Sequence, residues 1–240
     1  MPVEVSIRPK LWRRLVIAVI TGILALFSLI ALVIAAWSAR VKAAPVNNLV
    51  VIEPQEKKMA ASAPEIIVYA SELDEDALYE LDFWNDTAAP GGKLIGLPNT
   101  GDELDPPPEN DPNVKFKVKV QSGIPYRCWI HMKVGKPKGK SQANMFWVQF
   151  SGAVDKGNKE ILKPGTASYL TAQGPEREGW AWVACEMAGA KASESVINFR
   201  NSGEVTVRMQ AGMEGVGFDQ FVLSPGRFLE NAPGDAVVKK

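Results

Sequence analysis

Histidine and cysteine are scarce in this sequence, which has one histidine and two cysteines among 240 residues. No cluster of these residues has the spacing of a metal site, and any hydrolytic triad would have to use His131. Cys128 and Cys185 form no close dithiol motif. A disulfide between them would suit an oxidising compartment, and two buried thiols are the alternative. We therefore predict that the protein is not an enzyme and has no catalytic residue and no cofactor.

A basic stripe is also missing. Residues 1–40 hold five Lys and Arg against one acid, and residues 41–240 hold 22 bases against 26 acids. A nucleic-acid partner requires clustered Lys and Arg to neutralise phosphates, so the mildly acidic body of the chain argues against one. The one local exception, Lys133–Lys140, contains glycine and proline and is predicted to be a solvated hairpin loop.

One long apolar run is present, from Leu15 to Trp37, and it contains 23 residues without a charge. As a helix it would be about 35 Å long, enough to cross a hydrocarbon core of about 30 Å. Four basic residues precede it within residues 1–14. The positive-inside rule therefore predicts a bacterial inner-membrane anchor with the N-terminus in the cytoplasm and the rest of the chain in the periplasm. The alternative, a cleaved signal peptide, would have a shorter apolar region.

Residues 38–64 are predicted to be a linker, because they are rich in alanine, proline and charge. The linker contains a short apolar run that either docks on a partner or pairs with an edge of the following domain: Leu49, Val50, Val51 and Ile52. In the anchor, Ala18 and Gly22 lie one helical turn apart, a spacing that lets another helix approach closely. These six residues are the candidates for contact with other subunits of a membrane complex, and the lipid bilayer is the predicted partner of the anchor.

The remainder of the chain has the pattern of β-strands. Lys115–Val120 and Tyr126–Val134 alternate between two faces, and runs of the same style are Glu65–Ala70, Asn144–Phe150, Val196–Arg200, Glu204–Gln210 and Gly217–Leu223. Period-two runs separated by turn residues predict an antiparallel sandwich over residues 65–230, followed by a tail at 231–240. Asp74–Glu80 is predicted to form one or two helical turns, and Gly96–Asn113 a long exposed loop.

Eight segments from Glu65 onward resemble, in order, those of one family. They are Glu65–Ser71, Thr87–Leu94, Pro125–Lys133, Phe146–Asp155, Gly179–Trp182, Glu204–Gln210, Gly217–Leu229 and Pro233–Val238. Together they resemble the carbohydrate-binding-like, galactose-binding-like jelly-roll module of bacterial secreted and surface proteins. The resemblance implies a mainly β, antiparallel jelly-roll sandwich, and it implies less about function because one fold hosts many activities.

The resemblance implies that aromatic rings in this module could stack on a sugar. The candidates for that role are Trp129, Trp147 and Trp180. The alternative is that Trp180 and Trp182 fill the interior of the sandwich, as bulky rings often do.

Asp219 resembles the family's aspartate near the last strand. With Glu65 or Glu72 it could hold a structural calcium ion, because a hard cation requires several oxygen ligands. Hydrogen bonding at the surface is the alternative for Asp219. The chain also departs from the family pattern at His131, where members usually carry arginine.

Two functions compete on these observations. The first is a non-enzymatic accessory subunit of a larger membrane complex, with photosynthetic or respiratory complexes as settings, in which the sandwich is a docking block. The second is a membrane-anchored module that binds cell-wall or exogenous glycan. The sequence favours the first.

Overall fold

Alternation of apolar and polar side chains produces an antiparallel β-sandwich. The computed structural model describes residues 63–136, 144–190 and 194–234, which belong to one unit of the chain, Glu53–Lys240. The strands in these ranges are β1 (Ile66–Tyr69), β2 (Leu78–Tyr79), β3 (Asp82–Asn85), β4 (Lys93–Gly96), β5 (Asn113–Val120), β6 (Tyr126–Val134), β7 (Met145–Phe150), β8 (Ala153–Val154), β9 (Leu170–Gln173), β10 (Gly179–Glu186), β11 (Val196–Phe199), β12 (Gly203–Ala211) and β13 (Gly217–Ser224). Three 3₁₀ turns, Ala70–Glu72, Glu75–Ala77 and Pro90–Gly92, lie between the early strands.

The strands form two sheets joined at one corner. Sheet I has the order β10-β6-β13-β4-β3, with β1 also paired to β13, and sheet II has the order β2-β5-β12-β7-β9. The corner is β10, which pairs with β6 over Gly179–Ala184 and with β9 at Cys185 and Glu186. Every pairing of the strands described is antiparallel.

The core lies between the two sheets. On β5 the phenylalanine and valines point inward and the lysines outward, and Phe116 meets Phe221 of sheet I edge to face with ring centroids 5.2 Å apart. Phe146 of β7 and Phe218 of β13 make a second such contact at 5.7 Å. Edge-to-face pairs of this kind add to the stabilisation from burial alone.

The predicted mainly β, antiparallel fold is confirmed, and so are the seven predicted strands. The strands differ from their predicted bounds by one or two residues, and Glu75–Ala77 supplies the helical turn expected in Asp74–Glu80. The sequence interpretation overlooked six strands: β2, β3, β4, β8, β9 and β10. Five of these have four residues or fewer. β10 is longer but carries apolar side chains on both faces, so it lacks a period-two signal.

One loop prediction was wrong, and another was right only in part. The segment after β6 is not a hairpin, because β6 lies in sheet I and β7 in sheet II, so it connects the two sheets. Residues 96–113 are not simply exposed. Backbone carbonyls of Asp105 and Glu109 accept hydrogen bonds from Gln210 and Arg208, and the segment therefore covers part of sheet II.

The predicted anchor (15–37), the linker run Leu49–Ile52 and the helix-contact residues Ala18 and Gly22 lie outside the described residues. Within the ranges described, no helix is long and apolar enough to cross a membrane. Residues 225–230, at the end of the predicted domain, fold back over sheet I, where Phe228 packs on Trp129 and Val222.

Candidate recognition surface

The outer face of sheet I has a depression beside a row of residues that contains two glycines. In one row across the sheet, Trp180 of β10 pairs with Lys133 of β6, Lys133 with Gly217 of β13, and Gly217 with Gly96 of β4. A Cβ atom on Gly217 would lie 2.7 Å from Cδ1 of Leu94, and one on Gly96 would lie 2.7 Å from the carbonyl oxygen of Val216. The absence of a Cβ at these two glycines therefore allows the backbone of Val216 and the side chain of Leu94 to pack closely against this row.

Trp84 of β3 stands at the edge of this depression. Its indole Nε1 donates a hydrogen bond to the Gly96 carbonyl at 3.3 Å, while 43% of the residue remains exposed. β3 directs Phe83 into the core, and strand alternation therefore directs Trp84 to the outer face. The ring is thus both held in place and open to solvent.

An open cleft of about 450 Å³ lies against Trp84. It is lined by apolar side chains, by backbone at the glycine row and by a few polar groups: Trp84, Leu94, Leu97, Pro98, Asn85, Asn99, Lys133, Lys136 and Val216 among them. Apolar walls with a small number of placed polar groups are typical of ligand sites. The sequence interpretation missed this cleft, because its walls come from four separate segments.

Lys133 connects the cleft to Trp180. Its ammonium group donates a hydrogen bond to Oδ2 of Asp86 at 2.6 Å and lies 5.9 Å from the centre of the Trp180 ring. The hydrogen bond from Lys133 lowers the pKa of the Asp86 carboxyl below its usual range. The surface between Trp84 and Trp180 therefore carries a fixed ion pair as well as two indole rings.

His131 supports Trp180 from beneath. The imidazole stacks on Trp180 with ring centres 4.8 Å apart and an angle of 12° between planes, and it also contacts Trp182 at 4.9 Å. Nδ1 of His131 lies 2.7 Å from Oδ1 of Asp219, which is fully buried. The other carboxylate oxygen of Asp219 has no hydrogen-bond partner in the structure. His131 and Asp219 thus form a structural pair that fixes the ring of Trp180.

We expect the Asp219 carboxyl to titrate above the usual aspartate range, since burial raises its pKa against the opposing effect of the hydrogen bond from His131. Because the pKa of Asp219 is higher in the folded than in the unfolded state, its contribution to the stability of the fold is present at low pH. That contribution is lost as the pH rises through the folded pKa. Carboxyl ¹³C shifts measured against pH would test this. Asp86 is the internal control and should titrate below the usual range; an Asp219 pKa lower than that of Asp86 would contradict the account.

The His131–Asp219 pair does not extend to a nucleophile in the part of the chain that the structure describes. The hydroxyl of Ser151 accepts a hydrogen bond from the Thr206 backbone in sheet II at 2.8 Å, and Ser141 lies outside the described residues. The stacking of His131 on two indoles and its hydrogen bond with Asp219 account for its burial.

Two of the three predicted stacking rings are covered. Trp129 is 7% exposed, because Phe228 lies on it and accepts its Nε1 hydrogen bond at 2.7 Å. Trp147, 6% exposed, lies on the outer face of sheet II with Tyr169 beside it at 5.8 Å. Trp180 is half-buried on the outer face of sheet I, as is Trp182. The alternative that these two fill the interior was wrong.

The outer face of sheet II is closed around Gln149. Nε2 of this fully buried side chain lies within hydrogen-bond distance of the carbonyls of Lys163, Thr166 and Ser168, which share its two hydrogens, and its Oε1 accepts from Gly165 and Arg208. Residues 163–168 are thereby held over this part of the sheet.

The calcium candidates do not form a cluster. Glu65 comes just before Ile66, which pairs with Leu223, and Asp219 comes just before Gln220, which pairs with Tyr69. The two carboxylates therefore lie at opposite ends of the β1–β13 pair. Oε1 of Glu65 accepts a hydrogen bond from the Arg227 backbone. Among the described residues, no group of three or more His, Cys, Asp and Glu could hold a metal ion. Asp219, Glu65 and Glu72 are therefore not supported as a shared site, and Asp219 is buried, not at the surface.

No known family profile and no curated protein matches this sequence. Solved structures with a similar fold include the C-terminal CBM6 module of a Zobellia galactanivorans laminarinase, at 9% identity and a TM-score of 0.40 over 67% of this chain and 99% of that one. A family 35 carbohydrate-binding module from Clostridium thermocellum has 13% identity and a TM-score of 0.38 over 66% of this chain and 98% of that one. For a Podospora anserina GH26-CBM35 mannanase the values are 12% and 0.42, and the match spans 68% of this chain and only 28% of the enzyme. These values describe a distant likeness and assign no ligand to this chain.

Proposed function

We propose that the sandwich is a non-catalytic carbohydrate-binding module whose ligand lies in the cleft beside Trp84. The observation that carries the proposal is the ring of Trp84, which is 43% exposed, is oriented by its hydrogen bond to Gly96 and borders an open cleft. A pyranose ring has a face made of C–H groups, and a rigid indole offers the large apolar surface that such a face can contact.

Polar groups beside Trp84 suit the hydroxyl groups of a sugar. Asn85 and Asn99 line the cleft, and Lys133 is held at its edge by Asp86. An amide has both donors and acceptors, whereas an ammonium group only donates, so this set can bind hydroxyls in either role. Beyond Lys133, the half-buried ring of Trp180 offers a second apolar surface for a longer chain of sugars.

Retention on insoluble polysaccharides tests the proposal. Full-length protein in mild detergent would be passed over peptidoglycan, cellulose, mannan and a β-1,3-glucan. We expect retention on at least one, weakened about tenfold or more by Trp84→Ala, since a loss of about 1.4 kcal/mol is tenfold in affinity. Tyr79→Ala is the matched control, because Tyr79 has the same 43% exposure and lies on β2 outside the cleft. Equal retention of the two variants would contradict the proposal.

A second candidate is the accessory-subunit function, in which the same cleft docks a protein of a membrane complex. Its support is the apolar part of the lining, where Leu94, Leu97 and Val216 stand beside the exposed Trp84. In that case no polysaccharide would retain the protein. Trp84→Ala, or serine at all four of Leu49, Val50, Val51 and Ile52, would instead release it from subunits that otherwise co-purify from the native membrane.

A further inference from the structure

The two cysteines, separated in sequence by 57 residues, meet in the core. The pairing of β10 with β6 ends at Ala184 and Trp129, and Cys185 and Cys128 are the next residues beyond that pair. Both residues are fully buried, and their Sγ atoms are 3.1 Å apart. We propose that Cys128 and Cys185 form a disulfide when this domain folds in an oxidising compartment.

The two sulfur atoms already lie close to bonding distance. An S–S bond of about 2.05 Å requires the sulfur atoms to approach by roughly one ångström. Small rotations of the two side chains supply that movement.

The reaction is a thiol–disulfide exchange with a disulfide-bonded oxidant. The thiolate of one cysteine attacks the donor disulfide, a mixed disulfide forms, and the second cysteine attacks it and releases the donor as a dithiol. Two thiols are oxidised, one disulfide is reduced, and the two cysteine protons end on the donor sulfurs. Burial raises the pKa of the Cys128 thiol well above its usual value. The exchange therefore occurs before the sheets close over the pair, while a thiolate can form.

The bond would secure the corner of the sandwich. Cys185 is the residue at which β10 passes from sheet I to sheet II, where it pairs with Ala172 of β9. Cys128 lies in the middle of sheet I, between β10 and β13. A disulfide between them would tie the corner strand to the central strand and close a long loop, and such a cross-link restricts the unfolded chain.

Differential alkylation of the full-length protein purified without reductant tests the proposal. The protein is denatured, free thiols are blocked with iodoacetamide, and the rest are labelled with N-ethylmaleimide after reduction. We expect N-ethylmaleimide on both cysteines and, before reduction, one cross-linked peptide joining them. Iodoacetamide on both cysteines would overturn the proposal, whether or not any variant folds.

A thermal measurement supplies a second readout. We expect reduction to lower the Tm by on the order of 10 °C, given the size of the closed loop. The double variant Cys128→Ala and Cys185→Ala is the control, and its Tm should not respond to the reductant. An equal response of the wild type and the double variant would show that the shift does not come from this bond.

Discussion

Replacing Phe221 by alanine is expected to lower the free energy of unfolding by about 3–5 kcal/mol. Phe221 is fully buried on β13, meets Phe116 edge to face at 5.2 Å and lies 6.3 Å from Phe150, ring centre to ring centre. The substitution removes the contacts that this ring makes with Phe116 and Phe150 of the other sheet. It leaves a cavity that a close-packed core fills only in part. Urea unfolding followed by fluorescence would measure it.

Phe83→Ala is the control for Phe221→Ala. Phe83 is only half-buried, on the edge strand β3, and Lys93 already covers one side of its ring. Its truncation exposes less new surface, so we expect a smaller loss of stability. A loss for Phe221→Ala equal to or below that for Phe83→Ala would contradict the assignment of Phe221 to the centre of the core.

Replacing Gln149 by leucine is expected to cost about 3 kcal/mol or more, although the two side chains are similar in size. The change removes the donor for three backbone carbonyls and the acceptor for Gly165 and Arg208. A buried polar group left without its partner costs about 1–3 kcal/mol, and more if charged, as the guanidinium of Arg208 is. The same unfolding assay would measure the loss.

Gln173→Leu is the matched control for Gln149→Leu. Gln173 is exposed at the end of β9, and its amide donates to Oδ1 of Asn144 at 2.8 Å. Surface substitutions of this kind usually change stability by about half a kcal/mol. If the two leucine variants were equally stable, Gln149 would not be the group that holds residues 163–168 on sheet II.

Long strands with one polar face, such as β5, could be predicted from the sequence, whereas the long strand β10 could not. β5 alternates lysine with apolar residues, and that alternation alone determines which face is buried. β10 reads Gly-Trp-Ala-Trp-Val-Ala-Cys-Glu, and its outward tryptophans are as apolar as its inward residues. The strands β2 and β8 have two residues each and are too short to show a periodic pattern.

The candidate site could be predicted only in part, because contacts between distant residues decide which rings stay open. Trp129 is covered by Phe228, 99 residues later, where the chain folds back after β13. The setting of Trp84 depends on the glycine row, in which Gly96 and Gly217 are brought together by the β4–β13 pairing. Trp180 was identified from its own segment, but its support by His131 and Asp219 joins three strands.

The membrane anchor and its orientation stay predictions. The anchor at 15–37, its orientation and the docking residues of the linker rest on charge and hydropathy alone. They agree with either function, since a glycan-binding module and a complex subunit can both be held at the periplasmic face.

The indole ¹H–¹⁵N signals of the tryptophans test the central claim most directly. They would be recorded for the full chain in detergent micelles, assigned by single Trp→Phe variants, and followed as soluble fragments of the retained polysaccharide are added. The account predicts that the Trp84 signal shifts in a saturable manner while that of Trp147, buried on sheet II, does not move. A shift of the Trp147 signal with Trp84 unchanged would place the ligand on the other sheet and contradict it.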